Sequence, residues 1–211
     1  MKGKLFIISA PSGAGKTTLV HRVLKELENE IALERVITYT TKEPRAGEKE
    51  GHDYHFVSRE EFDQLLKQGF FMEHSKAYVD YYGSPALVIQ GLSRGISYIL
   101  IVDRIGAQDI VKRVPSAISI WIEAPSMEIL KMRLTARGTE SSEKVERRLF
   151  RAQQEIALEK RSPFYMYHMI NDELDKAVFD LKAILYHEIL EKKSVLLPKS
   201  EGFSRSADIA S

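Results

Sequence analysis

Ala10-Pro11-Ser12-Gly13-Ala14-Gly15-Lys16-Thr17 has the residue types and spacing of a phosphate-binding loop. Its glycines let backbone N–H groups curl around an anion. A helix opening near Lys16 adds its N-terminal dipole, with Thr18 in the first turn. Lys16 is spaced to reach the β- and γ-phosphates of a nucleoside triphosphate, and the Thr17 hydroxyl to face Mg²⁺. Ala10 fills a first position that is usually glycine. A second set suits a smaller anion: Arg45 offers a planar fork, and Lys42, Tyr54 and Tyr82 can add donors to a dianionic phosphate. Arg133 and Arg137 precede a polar stretch over 138–144, and Arg148 follows it. Cations on such a segment can offset charge that develops on a phosphoryl group in flight.

These residues need elements to hold them. Leu5-Phe6-Ile7-Ile8 is a compact apolar run, the mark of a parallel strand buried on both faces. Leu19, Val20, Val23, Leu24 and Leu27 recur at helical spacing over Thr17–Glu28. Strand, glycine-rich turn and helix therefore come in the order the loop requires, which argues against a chance turn. Val36–Thr41 reads as a β-branched strand. Ser58-Arg59-Glu60-Glu61 is a capping box that starts a helix ending near Gly69. Pro85 suggests a helix with proline in its first position. Tyr98–Asp103 and Ala117–Glu123 read as buried strands. Further helices are expected over Ser126–Arg137, from about Lys144 to Glu159, and over Glu173–Lys192, with a short strand at His168–Ile170. Strands alternating with helices predict an α/β fold of three layers, a parallel sheet flanked by helices.

Thr38-Tyr39-Thr40-Thr41-Lys42-Glu43-Pro44-Arg45-Ala46-Gly47-Glu48 is followed by Gly51-His52-Asp53-Tyr54, Phe71-Met72-Glu73 and Tyr81-Tyr82-Gly83-Ser84. In this order, after a phosphate loop, these segments closely resemble the guanylate kinases, from about Leu5 to Glu191. The resemblance implies a P-loop NTPase-type fold and transfer of a phosphoryl group from ATP to GMP, and to dGMP, with Mg²⁺, in purine nucleotide metabolism. It implies that Lys42, Arg45, Tyr54 and Tyr82 bind the GMP phosphate. It assigns Glu73 to guanine, with Asp103 and Thr38 at the base edge and Ser84 as a further contact. It implies one domain over 1–211: core 1–34, 89–136 and 148–193, GMP-binding subdomain 35–88, and lid 137–147 bearing Arg137, Arg148 and Arg133. It sets Asn171 beside the adenine of ATP, where a turn or cap role near Asp172 is the alternative. For Arg147 a salt bridge to Glu143 is the better reading.

The sequence departs from the family at Lys42, where arginine is usual, which keeps the charge but not the fork. Ile101 stands where an acidic residue is usual, which leaves Mg²⁺ to Thr17, the ATP phosphates and waters, with Glu48 as a further candidate. Thr38 stands for the usual serine and Ile105 for glutamine. Two rival readings are a phosphate-loop kinase of another small molecule and a scaffold module that has lost nucleotide chemistry. The Arg45, Tyr54, Glu73 and Tyr82 set opposes the first, and the intact Gly15, Lys16 and Thr17 oppose the second.

The whole chain fits this reading. Its 211 residues suit one domain with small insertions. A net charge of +1 gives no sign of nucleic acid or membrane as partner, and the substrates ATP and GMP are the expected ones. There is no cysteine, in keeping with a cytoplasmic protein and excluding thiolate metal sites. The apolar run at the N-terminus is too short to cross a membrane. Residues 194–211 are serine-rich, aperiodic and expected to be disordered. A homo-oligomer stays open, since the sequence fixes no oligomeric state.

Overall fold

The structure, a computed structural model, describes residues 2–77, 79–136, 141–190 and 203–205. It is an α/β fold with parallel strands flanked by helices, and it divides into two compact units.

The first unit comprises Met1–Ile7 and Ile31–Ile118. Strand β1 (Leu5–Ser9) begins in it and is buried along its length. Helix α1 (Lys16–Leu27) belongs to the second unit. Strand β2 (Leu33–Arg35) is followed by β3 (Tyr39–Thr40), β4 (His55–Phe56), helix α2 (Arg59–Lys67), β5 (Phe71–Ala77), β6 (Asp80–Pro85), α3 (Leu87–Ser93), β7 (Ser97–Ile101) and α4 (Arg104–Arg113). β2 runs parallel to β7, whereas β3, β4, β5 and β6 make a separate sheet in the order β4-β3-β6-β5.

The expected strand over Val36–Thr41 is thus two. Val36 still donates its amide to the Ile99 carbonyl at 2.9 Å, but Tyr39 pairs with His55 and Gly83 in the other sheet. One β-branched run serves both sheets, so its composition hides the break at Ile37 and Thr38. Pro85 does not open a helix. It ends β6 opposite Phe71, and the Ala86 amide still bonds the Phe70 carbonyl at 2.8 Å, so helix begins only at Leu87.

The capping box forms as expected. Glu61 N–H donates to Ser58 Oγ at 3.1 Å, and Ser58 N–H to Glu61 Oε2 at 2.7 Å. Such a cap contributes about 1 kcal/mol. Phe62 of α2 is fully buried and stacks on Phe71 at 4.7 Å between ring centroids. Gly83 lets Phe71 lie against the sheet: a Cβ there would sit 2.8 Å from the ring.

The second unit comprises Ile8–Glu30 and Ser119–Ser211. Strand β8 (Ile118–Glu123) leads to α5 (Met127–Ala136), α6 (Ser142–Arg161), β9 (Tyr167–Ile170), α7 (Leu174–Leu190) and β10 (Phe203–Arg205). β8 and β9 are parallel, and α1 packs against α7. α6 starts at Ser142, so most of the described part of the expected lid is already helical. Arg137 and residues 138–140 lie outside the described residues, as does most of 194–211. Within that last stretch, expected to be disordered, residues 203–205 instead pair antiparallel with β9. Among the described residues no helix is long and apolar enough to cross a membrane.

Candidate active site

The loop over 10–17 joins β1 to α1. Gly13 and Gly15 hold φ of +92° and +83°, which side chains rarely adopt, and Gly15 is the N-cap of α1 without a side-chain cap bond. No acidic residue occupies the first turn, where Lys16, Thr17 and Thr18 lie, so an anion meets no like charge there. The Lys16 ammonium donates to the Ala10 carbonyl at 3.2 Å, and Ala14 N–H to the Pro11 carbonyl at 3.2 Å. Ala10 and Ala14 pack with Leu130 and Ala152 in one apolar cluster, which accounts for small side chains at both positions.

Three expected site residues surround this loop. Arg148 of α6 donates from Nε to Ser12 Oγ at 2.8 Å. Asn171 is buried, and its amide donates to the Ala14 carbonyl at 2.8 Å. A Cβ on Gly15 would come within 2.6 Å of that amide nitrogen. Arg133 donates to the Asn171 and Asp172 carbonyls at 2.9 and 3.1 Å. Asn171 thus braces the loop through the Ala14 carbonyl, and Arg133 holds the backbone at Asn171 and Asp172. Arg147 lies 3.9 Å from Glu143 on the exposed face of α6, in line with the salt-bridge reading.

The second cluster belongs to the first unit. Lys42 is buried, and its ammonium lies 2.5 and 2.6 Å from the two oxygens of Glu48. Glu48 Oε2 also accepts the Arg45 amide at 2.8 Å. Glu48 is thereby bound to Lys42, which counts against the magnesium role considered for it. Lys42 Nζ sits 4.6 Å from the centre of the Tyr54 ring, and Tyr54 meets Tyr82 edge-on at 6.1 Å. Burial, then the neighbouring Tyr54 and Asp80, push the Tyr82 hydroxyl up to about 12, so it stays a proton donor. Arg45 is exposed beside this group.

Glu73 of β5 is buried. Ser84 on the paired strand β6 donates to its Oε1 at 2.5 Å, while Oε2 is buried without a hydrogen-bond partner. Burial, with the charges of Asp103 and Asp109 adding and the Ser84 bond opposing, pushes this carboxyl up to about 7. Asp103 caps α4 by accepting Gly106 N–H at 2.9 Å. Gly106 was not singled out from the sequence. A Cβ there would meet Glu73 Oε2 at 2.7 Å, so this glycine leaves the carboxylate its room. Thr38 is buried, and its carbonyl accepts the His55 amide at 2.9 Å.

A loop that can cradle phosphates in one unit thus accompanies, in the other, a cation–phenol cluster and a buried carboxylate. The family model for guanylate kinase matches residues 2–188. The chain belongs to the guanylate kinase family. The guanylate kinase of Hahella chejuensis is 44% identical over 190 residues, 90% of this chain and 88% of that protein. The guanylate kinase of Alkalilimnicola ehrlichii is 37% identical over 203 residues, 95% of this chain and 97% of that protein. A crystal structure of guanylate kinase from Anaplasma phagocytophilum has a TM-score of 0.74 at 29% identity, covering 90% of this chain and 88% of that one. The Lys42–Glu48 pair and the Glu73–Gly106 approach are what the geometry adds to the sequence reading. The sequence signal for each was a short-range charge pair and a glycine after Asp103, neither of which names a partner by itself.

Proposed function

We infer that this chain transfers the γ-phosphoryl group of ATP to GMP, giving ADP and GDP. The observation that carries the reading is Glu73, a buried carboxylate with one oxygen bonded to Ser84 and the other without a partner. Guanine offers two adjacent donors, N1–H and the N2 amine, which one carboxylate can accept together. Adenine lacks that donor pair. Bound in its place it would leave a buried carboxylate oxygen unpaired, costing on the order of 1–3 kcal/mol.

Ser84, Asp103 and Thr38 are the proposed companions of Glu73 at the base. Lys42, Arg45, Tyr54 and Tyr82 are the proposed phosphate ligands, and residues 35–88 the proposed GMP-binding segment. Residues Ala10, Pro11, Ser12, Gly13, Ala14, Gly15, Lys16, Thr17 and Thr18 are the proposed cradle for ATP. Asn171 is proposed to serve it by fixing the loop at the Ala14 carbonyl, and Arg133, bonded to the Asn171 and Asp172 carbonyls, is a further proposed cation beside the lid. Residues 137–147 are the proposed lid, and Arg137 and Arg148 its proposed cations. Nucleotide substrates assign the reaction to the cytoplasm.

An oxygen of the GMP phosphate attacks the γ-phosphorus in line. The bond to the β,γ-bridging oxygen breaks, and ADP departs with that electron pair. With a second pKa of about 6, by analogy to a phosphorylated side chain, the acceptor is already anionic at neutral pH and needs no general base. Lys16 and Arg148 offset charge on the equatorial oxygens. Thr17 is exposed in the first turn of α1 and offers one hard oxygen. Among the described residues no group of three or more acidic, histidine or cysteine side chains could cage a metal. That donor set fits Mg²⁺ held mainly by phosphate oxygens and waters. Bound there, the ion supplies Lewis-acid neutralisation of the β- and γ-phosphates.

A coupled ADP-release assay with Mg²⁺, ATP and GMP, dGMP, AMP or dTMP tests the reading. Turnover with GMP roughly 5- to 150-fold above that with AMP is expected from the unpaired-carboxylate cost. Equal turnover with AMP or dTMP would overturn it.

A further inference from the structure

We propose that Glu48 is a positioning residue for GMP: it touches no substrate, but its carboxylate keeps the buried Lys42 side chain charged and aimed at the phosphate. This rests on the function inferred above. Three observations carry it.

The Lys42 ammonium lies within hydrogen-bond distance of both Glu48 oxygens, at 2.5 and 2.6 Å, so the pair is bidentate from the carboxylate side. The same carboxylate accepts the Arg45 amide at 2.8 Å, and the Glu48 amide donates to the Arg45 carbonyl at 3.0 Å. One side chain thereby fixes two of the proposed phosphate ligands, Lys42 through its ammonium and Arg45 through its backbone. Third, Lys42 is only 8% exposed and its ammonium lies over the Tyr54 ring. An ammonium so enclosed loses hydration, and an ammonium, unlike a guanidinium, can shed its proton in response.

The charged and titratable groups facing Lys42 define the balance. Burial lowers its pKa, and Arg45 lowers it further, whereas Glu48 and Asp80 raise it, Glu48 the more. Tyr54, also raised by burial, and Tyr82, pushed up to about 12, remain neutral below pH 9. Glu48 is thus the main support of the Lys42 charge. Without it the ammonium titrates at lower pH, and its share of GMP binding is lost as pH rises through that lowered value. Arginine at the usual family position has no such need, since it stays charged at any working pH.

Glu48→Gln tests this with little collateral damage, because the amide oxygen can still accept the Arg45 N–H while the charge is gone. Two readouts are needed, both on the full chain with melting temperature as a check of folding. The first is the titration of the Lys42 ammonium, followed by NMR on lysine-labelled protein and assigned with Lys42→Arg. A midpoint clearly lower in Glu48→Gln than in wild type is expected, because the hydrogen bond and charge that raise it are gone. The second is KM for GMP between pH 7 and 8.5, a range in which the GMP phosphate is mostly a dianion and guanine keeps its N1 proton. The variant's KM should rise progressively above the wild type with pH across this range, with KM for ATP within about twofold of wild type. The rise should vanish in Lys42→Arg/Glu48→Gln. An unchanged lysine midpoint, a KM penalty constant with pH, or a rise that persists in the double variant would each overturn the proposal. Loss of GMP turnover in the wild type would instead fail the inferred function, leaving the lysine midpoint to judge Glu48 separately.

Discussion

The Ser84 hydroxyl donates to Glu73 Oε1 at 2.5 Å, fixing one carboxylate oxygen while the other stays buried without a partner. A buried oxygen without a partner is costly, and a donor placed against it would relieve that cost.

Glu73 should make guanine binding release a proton. Its carboxyl is pushed up to about 7, chiefly by burial, so it is largely protonated at pH 6, while a base with two donors requires the carboxylate. Guanosine, which lacks the phosphate and its own titration, isolates the effect. Calorimetry in buffers of different ionisation enthalpy should show close to one proton released per guanosine at pH 6 and almost none at pH 8. Equal, buffer-independent heats at pH 6 would contradict it.

The same group has a stability consequence. A raised acid pKa favours the folded state where the group is neutral, and that benefit is lost as pH rises through about 7. Without nucleotide, Glu73→Gln should therefore gain stability over wild type above pH 7, by up to roughly 3 kcal/mol for a shift of this size. Denaturant melts at pH 5 and pH 8 measure it, and a gain no larger at pH 8 would count against the account.

Gly106→Ala should damage guanine selection in particular. The added methyl would lie 2.7 Å from Glu73 Oε2 and 3.3 Å from Val102 Cβ, so the carboxylate must move. KM for GMP should rise about 10- to 100-fold, the range set by losing one buried charged contact, with KM for ATP little changed. Discrimination against IMP, which lacks the N2 amine, should narrow. Undiminished preference for GMP would show that the carboxylate is not confined there.

Asn171→Ala should act through the phosphate loop. Losing the bond to the Ala14 carbonyl should cost about 1–2 kcal/mol of stability and raise KM for ATP. A brace serves any triphosphate, so ATP and GTP should suffer alike as donors. A selective loss with ATP would instead support a role for Asn171 at adenine. Lys16→Met, by contrast, should leave the melting temperature near wild type and lower kcat by several orders of magnitude, since Lys16 is proposed to act on transferred charge.

The legible parts of this molecule are those set by neighbours in sequence. The loop over 10–17 announces itself because strand, glycines and helix N-terminus are contiguous, and the capping box at Ser58 because both partners lie within one turn. Glu73 and Arg45 are proposed on the strength of their family segments. Contacts across the fold were hidden: Asn171 meets Ala14 across 157 positions, and nothing local distinguishes it from a turn residue. Gly106 carries no local signal, because its reason is the approach of Glu73 on β5. Pro85 carried a true helix-start signal that strand pairing with Phe71 overrode. Residues 203–205 gain their strand from the edge of β9 and not from their own composition.

The most direct measurement is a crystal structure of the chain grown with GMP. It should show guanine N1 and N2 each about 2.7–3.0 Å from a Glu73 oxygen, with the phosphate on Arg45, Lys42, Tyr54 and Tyr82. A bound GMP with its purine turned away from Glu73, or its phosphate away from Arg45, would contradict the account.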